Sequence, residues 1–311
     1  MEYQQFLNAP QQVRSAYFRI ADHLVRIDIP VLLAMDKCLP TFSAFIADPD
    51  VLEEPLLSVS LSIAEVPQDD PQAKLLSDIS VLWNESFRFE ETADHYITTI
   101  QASTGSGIWK MVSSKDFVRS IIYAPVCELY LTAKFSWLIM IAYGQAALQR
   151  HTALIHASVV KRKGIGYIFL GKSGTGKSTH SRLWIENIKD TTLLNDDNPA
   201  IRLYDNGEVA VFGTPWSGKT ACYKQEMVGL GAIIRLEQAP FNKLQWRQGK
   251  EALIALLPSI SAIRWNPHLY ANMLQIIETV IQHAPIGLLQ CLPNKEAACL
   301  CYAEASRIRP R

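Results

Sequence analysis

The sequence has no excess of charge of either sign and no long apolar run. Thirty Lys and Arg residues balance thirty Asp and Glu residues in 311 positions, so a broad electrostatic surface for nucleic acid is not expected. The most apolar run, FSWLIMIAYGQAAL from Phe135, is too short to span a bilayer and indicates a buried helix. The N-terminus is polar and lacks the apolar core of an export signal. These absences predict a cytoplasmic protein with no nucleic-acid partner and no membrane partner.

The six cysteines lack the paired spacing of a zinc site or of a disulfide framework. No CxxC pair occurs, and Cys299 and Cys301 in AACLCYAE are too close together to form half of a usual zinc knuckle. Scattered thiols in a chain of this length indicate buried, reduced cysteines in a reducing compartment.

The chain has no internal repeat, and its residue pattern changes near position 150. In the first half, apolar side chains alternate with serines at Leu57, Val59, Leu61 and Ile63, which is typical of a sheet with one covered face. The pattern turns helical from Leu129 to Leu148, and from Thr152 strands alternate with helices. We therefore predict a mixed α/β chain with a β-rich region over 1–150 that ends in a helix, followed by a second domain over 151–311.

A glycine-rich segment in the second half, GKSGTGKS, matches the phosphate-binding pattern GxxxxGK[ST] at every position. It follows an apolar strand-like segment and precedes a helix predicted to begin at Ser178. Glycines let the backbone N–H groups turn toward phosphate oxygens, Lys177 would bridge the β- and γ-phosphates, and Ser178 would hold Mg²⁺. The segment predicts a site for ATP and Mg²⁺ formed by Gly171, Lys172, Ser173, Gly174, Thr175, Gly176, Lys177, Ser178 and Thr179.

Two adjacent carboxylates, Asp196 and Asp197, follow the strand predicted at Thr192–Leu194 in LLNDDNPAI. The carboxyl end of a strand is where an α/β sheet presents groups to a ligand. One carboxylate can anchor Mg²⁺, and the other can accept a proton from an attacking hydroxyl. A solvated Asp-Asp-Asn turn is the alternative interpretation.

The block LIHASVVKRKGIGYIFLGKSGTGKST…LLNDDNPAI, from Leu154 to Ile201, resembles the catalytic domain of HPr kinase/phosphorylase, whose fold core is related to that of ATP-dependent phosphoenolpyruvate carboxykinase. The GTPWSGK segment is similar to one in the HPr-kinase-like proteins that are often encoded near peptide-modification systems. The resemblance covers about Leu154 to the C-terminus, is specific over Leu154–Ile201 and is weak over the first half of the chain. It implies a P-loop kinase core of this type, a serine in a peptide or small protein as acceptor, and a possible homo-oligomer.

The resemblance also implies roles for individual residues. His156 corresponds to an active-site histidine near the phosphates, and Asp197 to the general base for a serine hydroxyl, with Asp196 beside it. Glu226 in EMVGLGAI corresponds to a metal-linked glutamate, although Val228 stands where the family has arginine. The predicted metal set is therefore Ser178, Asp196 and Glu226. No PGRN-like segment is present, so efficient reverse phosphorolysis is not expected.

Weaker candidates surround this block. In GTPWSGKTACYK, Trp216 could stack or exclude water and Lys219 could neutralise γ-phosphate charge, unless the segment is a structural turn. Arg264 is expected to pair within the fold, and His180 to support helix packing. A polar loop, EQAPFNKLQW, is expected to contact nucleotide or acceptor or to be a simple turn, through Gln238, Asn242 and Lys243.

Together these features predict an ATP-dependent kinase in which Lys177, Asp196, Asp197 and His156 form the catalytic group. Two alternatives stay open. One is an enzyme of the phosphoenolpyruvate carboxykinase type, which needs a second metal with His and Lys ligands that the sequence does not supply convincingly. The other is a non-catalytic nucleotide-sensing module, for which Lys177 matters and the two aspartates do not.

Overall fold

The computed structural model describes residues 12–50, 52–82, 85–101, 107–218 and 220–308. The chain divides into two compact units, Met1–Ala146 and Ala147–Arg311, each with its own sheet and core. The first residues of the polar N-terminus, most of the STGSG run and Lys219 lie outside the described residues. The fold is mixed α/β with two sheets. Within the described ranges, no helix is both long and apolar enough to cross a bilayer.

The N-terminal unit is a sheet with one long helix packed on it. Its elements are β1 (Val13–Ile20), β2 (His23–Pro30), α1 (Met35–Cys38), β3 (Leu57–Ser62), β4 (Lys74–Leu82), β5 (Glu85–Glu91), β6 (His95–Gln101), β7 (Trp109–Ser114), β8 (Arg119–Tyr123) and α2 (Lys134–Ala146). The strands are ordered β1-β2-β3-β8-β7-β6-β5-β4. The predicted alternation in β3 is confirmed, since Leu57, Val59 and Leu61 are buried and the serines between them are only partly covered. The apolar helix α2 packs on β3, β7 and β8, as its sequence indicates.

The C-terminal unit carries the glycine-rich segment and the aspartate pair. Its elements are β9 (Thr152–Leu154), β10 (Ala157–Arg162), β11 (Ile165–Leu170), α3 (Lys177–Asn187), β12 (Thr191–Asn195), β13 (Ala200–Leu203), β14 (Val209–Phe212), β15 (Met227–Gln238), β16 (Lys243–Arg247), α4 (Gly249–Leu256), α5 (Pro267–His283), β17 (Ile286–Cys291) and α6 (Lys295–Ala305). The main strand order is β12-β10-β11-β15-β14-β13-β9, and β17 joins β15 to β16.

The pairing directions place the carboxyl ends of β11, β12, β15 and β17 along the same side of this sheet. β11, β15 and β17 are mutually parallel, and β12 runs the same way because β10 is antiparallel to both β11 and β12. The carboxyl ends of β11 and β12 therefore lie beside the amino end of β10. The glycine-rich segment follows β11, the aspartate pair follows β12 and His156 precedes β10, so the topology alone places all three at the same edge.

The helix α3 is anchored by an aromatic cluster beneath it. Trp184 is fully buried, with its ring 4.8 Å from Tyr167, 5.3 Å from Phe169 and 5.6 Å from Tyr302 on α6. Burying a large aromatic side chain is worth about 1.5–3 kcal/mol, so this contact fixes the helix that follows the glycine-rich segment.

Three expectations about local structure need correction. α3 begins at Lys177, one residue earlier than predicted. KLQW is not part of a loop but forms β16, which pairs with β17. Cys127 and Cys299 are exposed and Cys291 is half-buried, so the expectation of buried thiols holds for Cys38, Cys222 and Cys301. Burial raises the pKa of the Cys38 thiol to about 11, which makes this thiol unreactive at neutral pH.

Candidate functional site

The glycine-rich segment is a tight loop between β11 and α3. Gly174 and Gly176 adopt φ of 82° and 103°, which residues with a Cβ rarely adopt, and Gly176 is the residue before the first turn of α3. The hydroxyl and the N–H of Thr175 both donate to the carbonyl of Lys172. The loop thus presents the amino end of an eleven-residue helix, whose first N–H groups have no partner within the helix.

Lys177 turns back across this loop. Its ammonium donates to the carbonyl of Gly171 at 2.9 Å and lies 3.0 Å from Nε2 of His156, and the residue is only 9% exposed. Burial lowers the pKa of the Lys177 ammonium from its usual value, while the charges of Asp197 and Asp196 oppose that shift. The lysine is therefore a buried cation held near two carboxylates.

His156 joins the loop to the aspartate pair. Its backbone N–H donates to Ser259, and its ring Nδ1 lies 3.0 Å from Oδ1 of Asp197. Because the lysine ammonium donates to Nε2, the ring proton belongs on Nδ1, where it is donated to Asp197. The resulting chain runs from Lys177 through His156 to Asp197.

Both carboxylate oxygens of Asp197 have partners. Oδ1 faces His156, and Oδ2 accepts from the side-chain amide of Asn198 at 2.8 Å. Its backbone carbonyl accepts from Ala157 at 2.9 Å, which locks the residue to the start of β10. Asp197 is therefore placed to orient the imidazole of His156.

Asp196 has one oxygen that the described residues do not satisfy. Oδ1 accepts from the hydroxyl of Ser158 at 2.6 Å, and that hydroxyl lies 2.6 Å from the hydroxyl of Ser181 on α3. Oδ2 is buried and has no hydrogen-bond partner among the described residues. An unpaired buried carboxylate oxygen is costly unless a ligand occupies it, and carboxylate oxygen is a preferred ligand of Mg²⁺.

A cavity of about 290 Å³ opens beside Asp196 and the first turns of α3. It is lined by Ser178, Thr179, Ser181, Arg182, Ile185, Leu193, Asp196 and Thr220. The predicted metal residues Ser178 and Asp196 therefore share one cavity.

Glu226, the third predicted metal residue, has a different partner. Its carboxylate pairs with Lys161 on β10. Lys161 stands opposite Gly166 of β11, whereas the loop begins at Gly171, about 16 Å further along the strand at 3.3 Å per residue. No cluster of three or more His, Cys, Asp or Glu side chains suited to a metal occurs in the described ranges. The structure thus brings Asp196 and Ser178 together, and it engages Glu226 in an ion pair elsewhere on the sheet.

The described part of the GTPWSGK segment, Gly213–Gly218, packs against the aspartate pair. The fully buried amide of Asn195 donates to the carbonyls of Thr214 and Trp216, while its oxygen accepts from the N–H groups of Asp197 and Asn198. Trp216 is 5% exposed, so it packs within the fold and does not offer an open stacking surface. The backbone of Gly218 passes close to Asp196, since a Cβ there would lie 3.1 Å from the Asp196 carbonyl.

The weaker candidate residues have either a packing role or hydrogen bonds to loops. His180 is buried and accepts from the indole N–H of Trp184 at 3.1 Å, which agrees with a packing role. The amide of Gln238 reaches the carbonyl of Gly174 at 3.5 Å, so it contacts the glycine-rich loop. Asn242 holds a turn through Asn294 and Leu292, and Arg264 is exposed.

Four site residues escaped the sequence reasoning. Ser158 follows His156 by two positions, and a period of two in a strand would have put both on one face. Ser181 stands three residues after Ser178 on α3, and Asn195 directly precedes the aspartate pair. Arg235 lies opposite Leu170 in the sheet, where its charge also lowers the pKa of Lys177. No local signal identifies Arg235, because that contact depends on strand pairing.

Comparisons with known proteins give little further assignment. No family model matches the chain, and no curated protein matches it. Among solved structures, the chain is similar to the Hpr(Ser) kinase/phosphatase from Coxiella burnetii, at 12% identity and a TM-score of 0.30, over 50% of this chain and 94% of that one. A likeness at this level carries no functional assignment.

Proposed function

We propose that the C-terminal unit binds a magnesium-bound nucleoside triphosphate, with ATP as the donor, and transfers the terminal phosphoryl group to a hydroxyl. The observation that carries the proposal is the chain from Lys177 through His156 to Asp197, beside a free carboxylate oxygen of Asp196. The resemblance of the block Leu154–Ile201 favours a serine hydroxyl in a peptide or small protein as the acceptor.

The glycine-rich loop and Lys177 are the groups that hold the phosphates. The N–H groups at the start of α3 and the buried ammonium are positive, and both lie at the same strand end. A γ-phosphate in reach of Lys177 competes with His156 for the ammonium, because its charge is negative and the imidazole is neutral. Phosphate binding therefore frees Nε2 of His156.

The chain's residues fit a metal ion at Asp196 and Ser178. The free Oδ2 of Asp196 and the hydroxyl of Ser178 supply oxygen ligands in a shared cavity, and Ser158 fixes the aspartate through its other oxygen. Magnesium bound there would offset the negative charge that the terminal phosphate and leaving group carry.

The freed His156 is the group placed to take the acceptor proton. The acceptor oxygen forms a bond to the γ-phosphorus while the bond from that phosphorus to the bridging oxygen breaks. The nucleoside diphosphate leaves with the electron pair, and the hydroxyl proton passes to Nε2 of His156. Asp197 holds Nδ1–H and stabilises the charged ring. This assignment moves the base from Asp197, whose two oxygens are engaged, to the pair of His156 and Asp197.

The test is transfer of labelled γ-phosphate to serine-containing peptides. We expect His156→Gln to slow transfer by roughly 100-fold or more, with nucleotide affinity retained, because it removes the proton acceptor and not the phosphate cradle. His268→Gln is the matched control, since His268 is exposed at the start of α5. Transfer at the parental rate in both His156→Gln and Asp197→Asn would contradict the proposal, and nucleotide binding without transfer to any hydroxyl would favour a sensing module.

A further inference from the structure

A second cavity lies within the N-terminal unit, on the face of its sheet formed by β5, β6 and β7. Arg88, Thr99 and Lys110 stand directly opposite one another on these strands, in the register Arg88↔Thr99↔Lys110. Residues in such register project from the same face, about 5 Å apart. We call them the Arg88–Thr99–Lys110 row. The neighbouring residues on the same three strands, Phe87, Ile100 and Trp109, are also paired with one another, and they are fully buried on the opposite face of the sheet.

The short segment Val66–Asp69, which carries an aspartate, lies against the Arg88–Thr99–Lys110 row. The ammonium of Lys110 donates to the carbonyl of Pro67 at 2.6 Å and to Oδ1 of Asp69 at 2.7 Å. Between the segment and the row lies a cavity of about 270 Å³, lined by Val66, Pro67, Gln68, Asp69, Arg88, Thr99, Ile108 and Lys110.

Two polar atoms in the row have no hydrogen-bond partner among the described residues. They are Nε of Arg88 and the hydroxyl of Thr99, and both are buried. Thr99 is only 5% exposed, and one terminal nitrogen of Arg88, Nη2, donates to the carboxylate of Glu90 at 2.8 Å. Buried donors without partners are rare in folded proteins, and each is stabilised when a ligand supplies an acceptor.

We propose that this cavity binds a compact carboxylate with a short aliphatic tail. The two donors without partners can serve the two oxygens of one carboxylate. Two cations, Arg88 and Lys110, lie beside them, and each is already paired with one carboxylate, Glu90 and Asp69 respectively. Val66, Pro67 and Ile108 provide an apolar wall for the tail. A phosphate dianion fits less well than a monoanion, because the two cations of the site already face two protein carboxylates and a second ligand charge would have no partner. At about 270 Å³ the cavity has room for a small ligand of this kind.

The test measures binding of four small probes to the full chain by thermal shift and saturation-transfer NMR, without nucleotide. Butyrate represents a free carboxylate, N-acetylglycine a peptide carboxylate, butyramide a neutral isostere of butyrate, and methyl phosphate a dianion. We expect saturable binding of at least one carboxylate and none of butyramide. Tighter binding of N-acetylglycine would identify a peptide terminus as the source, and tighter binding of butyrate a free acid.

Matched variants test whether carboxylate binding occurs at this cavity. Thr99→Val preserves shape and Arg88→Lys preserves charge, and each should weaken carboxylate binding about tenfold through loss of one hydrogen bond to a charged group. Thr98→Val is the control, because Thr98 is the neighbouring buried threonine on the opposite face. Thr99→Val should also leave the unliganded chain at least as stable as the parent, since its hydroxyl has no partner to lose.

Four results would overturn the inference. They are the absence of saturable carboxylate binding, equal binding of butyramide, preferred binding of methyl phosphate, and unchanged affinity in Thr99→Val. The test involves no residue of the nucleotide site, so its failure and a failure of the proposed kinase function are separate outcomes.

Discussion

Two histidines near the glycine-rich loop differ in what surrounds them. His156 is 42% exposed on its side chain and bridges two charged groups, whereas His180 is 3% exposed and packs against the rings of Phe169 and Trp184. Burial lowers the pKa of His180 to about 4, and its Nε2 accepts the indole N–H of Trp184. Protonation would remove that acceptor, so the neutral ring belongs to the folded state.

His180 should therefore make stability depend on pH. The unfolded imidazole has a pKa near 6.5, so between about pH 4 and 6.5 the unfolded chain binds more protons than the folded one. Stability should rise with pH over this window, by about 3 kcal/mol in total, and be lost as pH falls. Urea unfolding, followed by tryptophan fluorescence from pH 4.5 to 7, measures the free energy of unfolding at each pH. In His180→Gln the same dependence should be much weaker, and equal slopes in the two chains would contradict this account.

The local sequence predicted that both aspartates follow a strand end, and separate roles for them came only from the family resemblance. Among the described residues, Asp196 keeps one oxygen without a partner because Ser158 engages only the other one, whereas His156 and Asn198 take both oxygens of Asp197. Asn198 is the next residue in the chain, but Ser158 lies on β10 and His156 just before it, so these two contacts depend on strand pairing and cannot be found in the local sequence.

Gly213, which directly follows β14, has no room for a side chain. A Cβ at Gly213 would lie 2.2 Å from the carbonyl oxygen of Lys224 and 3.2 Å from that of Leu194. Neither backbone atom can move without disturbing the segment that packs on the aspartate pair.

Gly213→Ala should therefore destabilise the chain by about 1–3 kcal/mol, the usual range for overpacking a buried site. Gly229→Ala on β15 is the matched control, because its nearest contact would be an ordinary 3.8 Å. Urea denaturation of both variants measures the difference. If Gly213→Ala were as stable as Gly229→Ala, the tight packing of this segment would be wrong.

Elements with strong local patterns were predictable, and elements that depend on partners were not. β3 was evident because its apolar residues alternate, and the hairpin of β13 and β14 because Asp205-Asn206-Gly207 favours a turn. β16 was missed although Leu244 and Trp246 alternate with polar residues and pack against the core, because the run has only five residues and becomes a strand by pairing with β17.

At the scale of the whole molecule, every residue of the proposed nucleotide site lies in Ala147–Arg311. The sheet and aromatic cluster of this unit are formed by its own residues. The sequence indicated a change near residue 150, since the spacing of strands and helices changes there. The order of strands in each sheet could not be predicted, because it depends on contacts between distant segments.

The segment 147–311, expressed alone, should therefore fold cooperatively and bind Mg·ATP with the affinity of the full chain. Far-UV circular dichroism with thermal melting tests folding, and isothermal titration tests binding. An unfolded segment, or one with greatly weakened affinity, would show that the first 146 residues contribute to the site.

The central claim is that the glycine-rich loop and Asp196 meet at one magnesium-bound triphosphate. The most direct test is ATP affinity with and without Mg²⁺ in the parent, in Asp196→Asn and in Asp205→Asn, whose aspartate lies in the exposed turn between β13 and β14. The account predicts that Mg²⁺ strengthens ATP binding in the parent and in Asp205→Asn, and that Asp196→Asn loses about tenfold or more of that gain. Unchanged magnesium dependence in Asp196→Asn would contradict it.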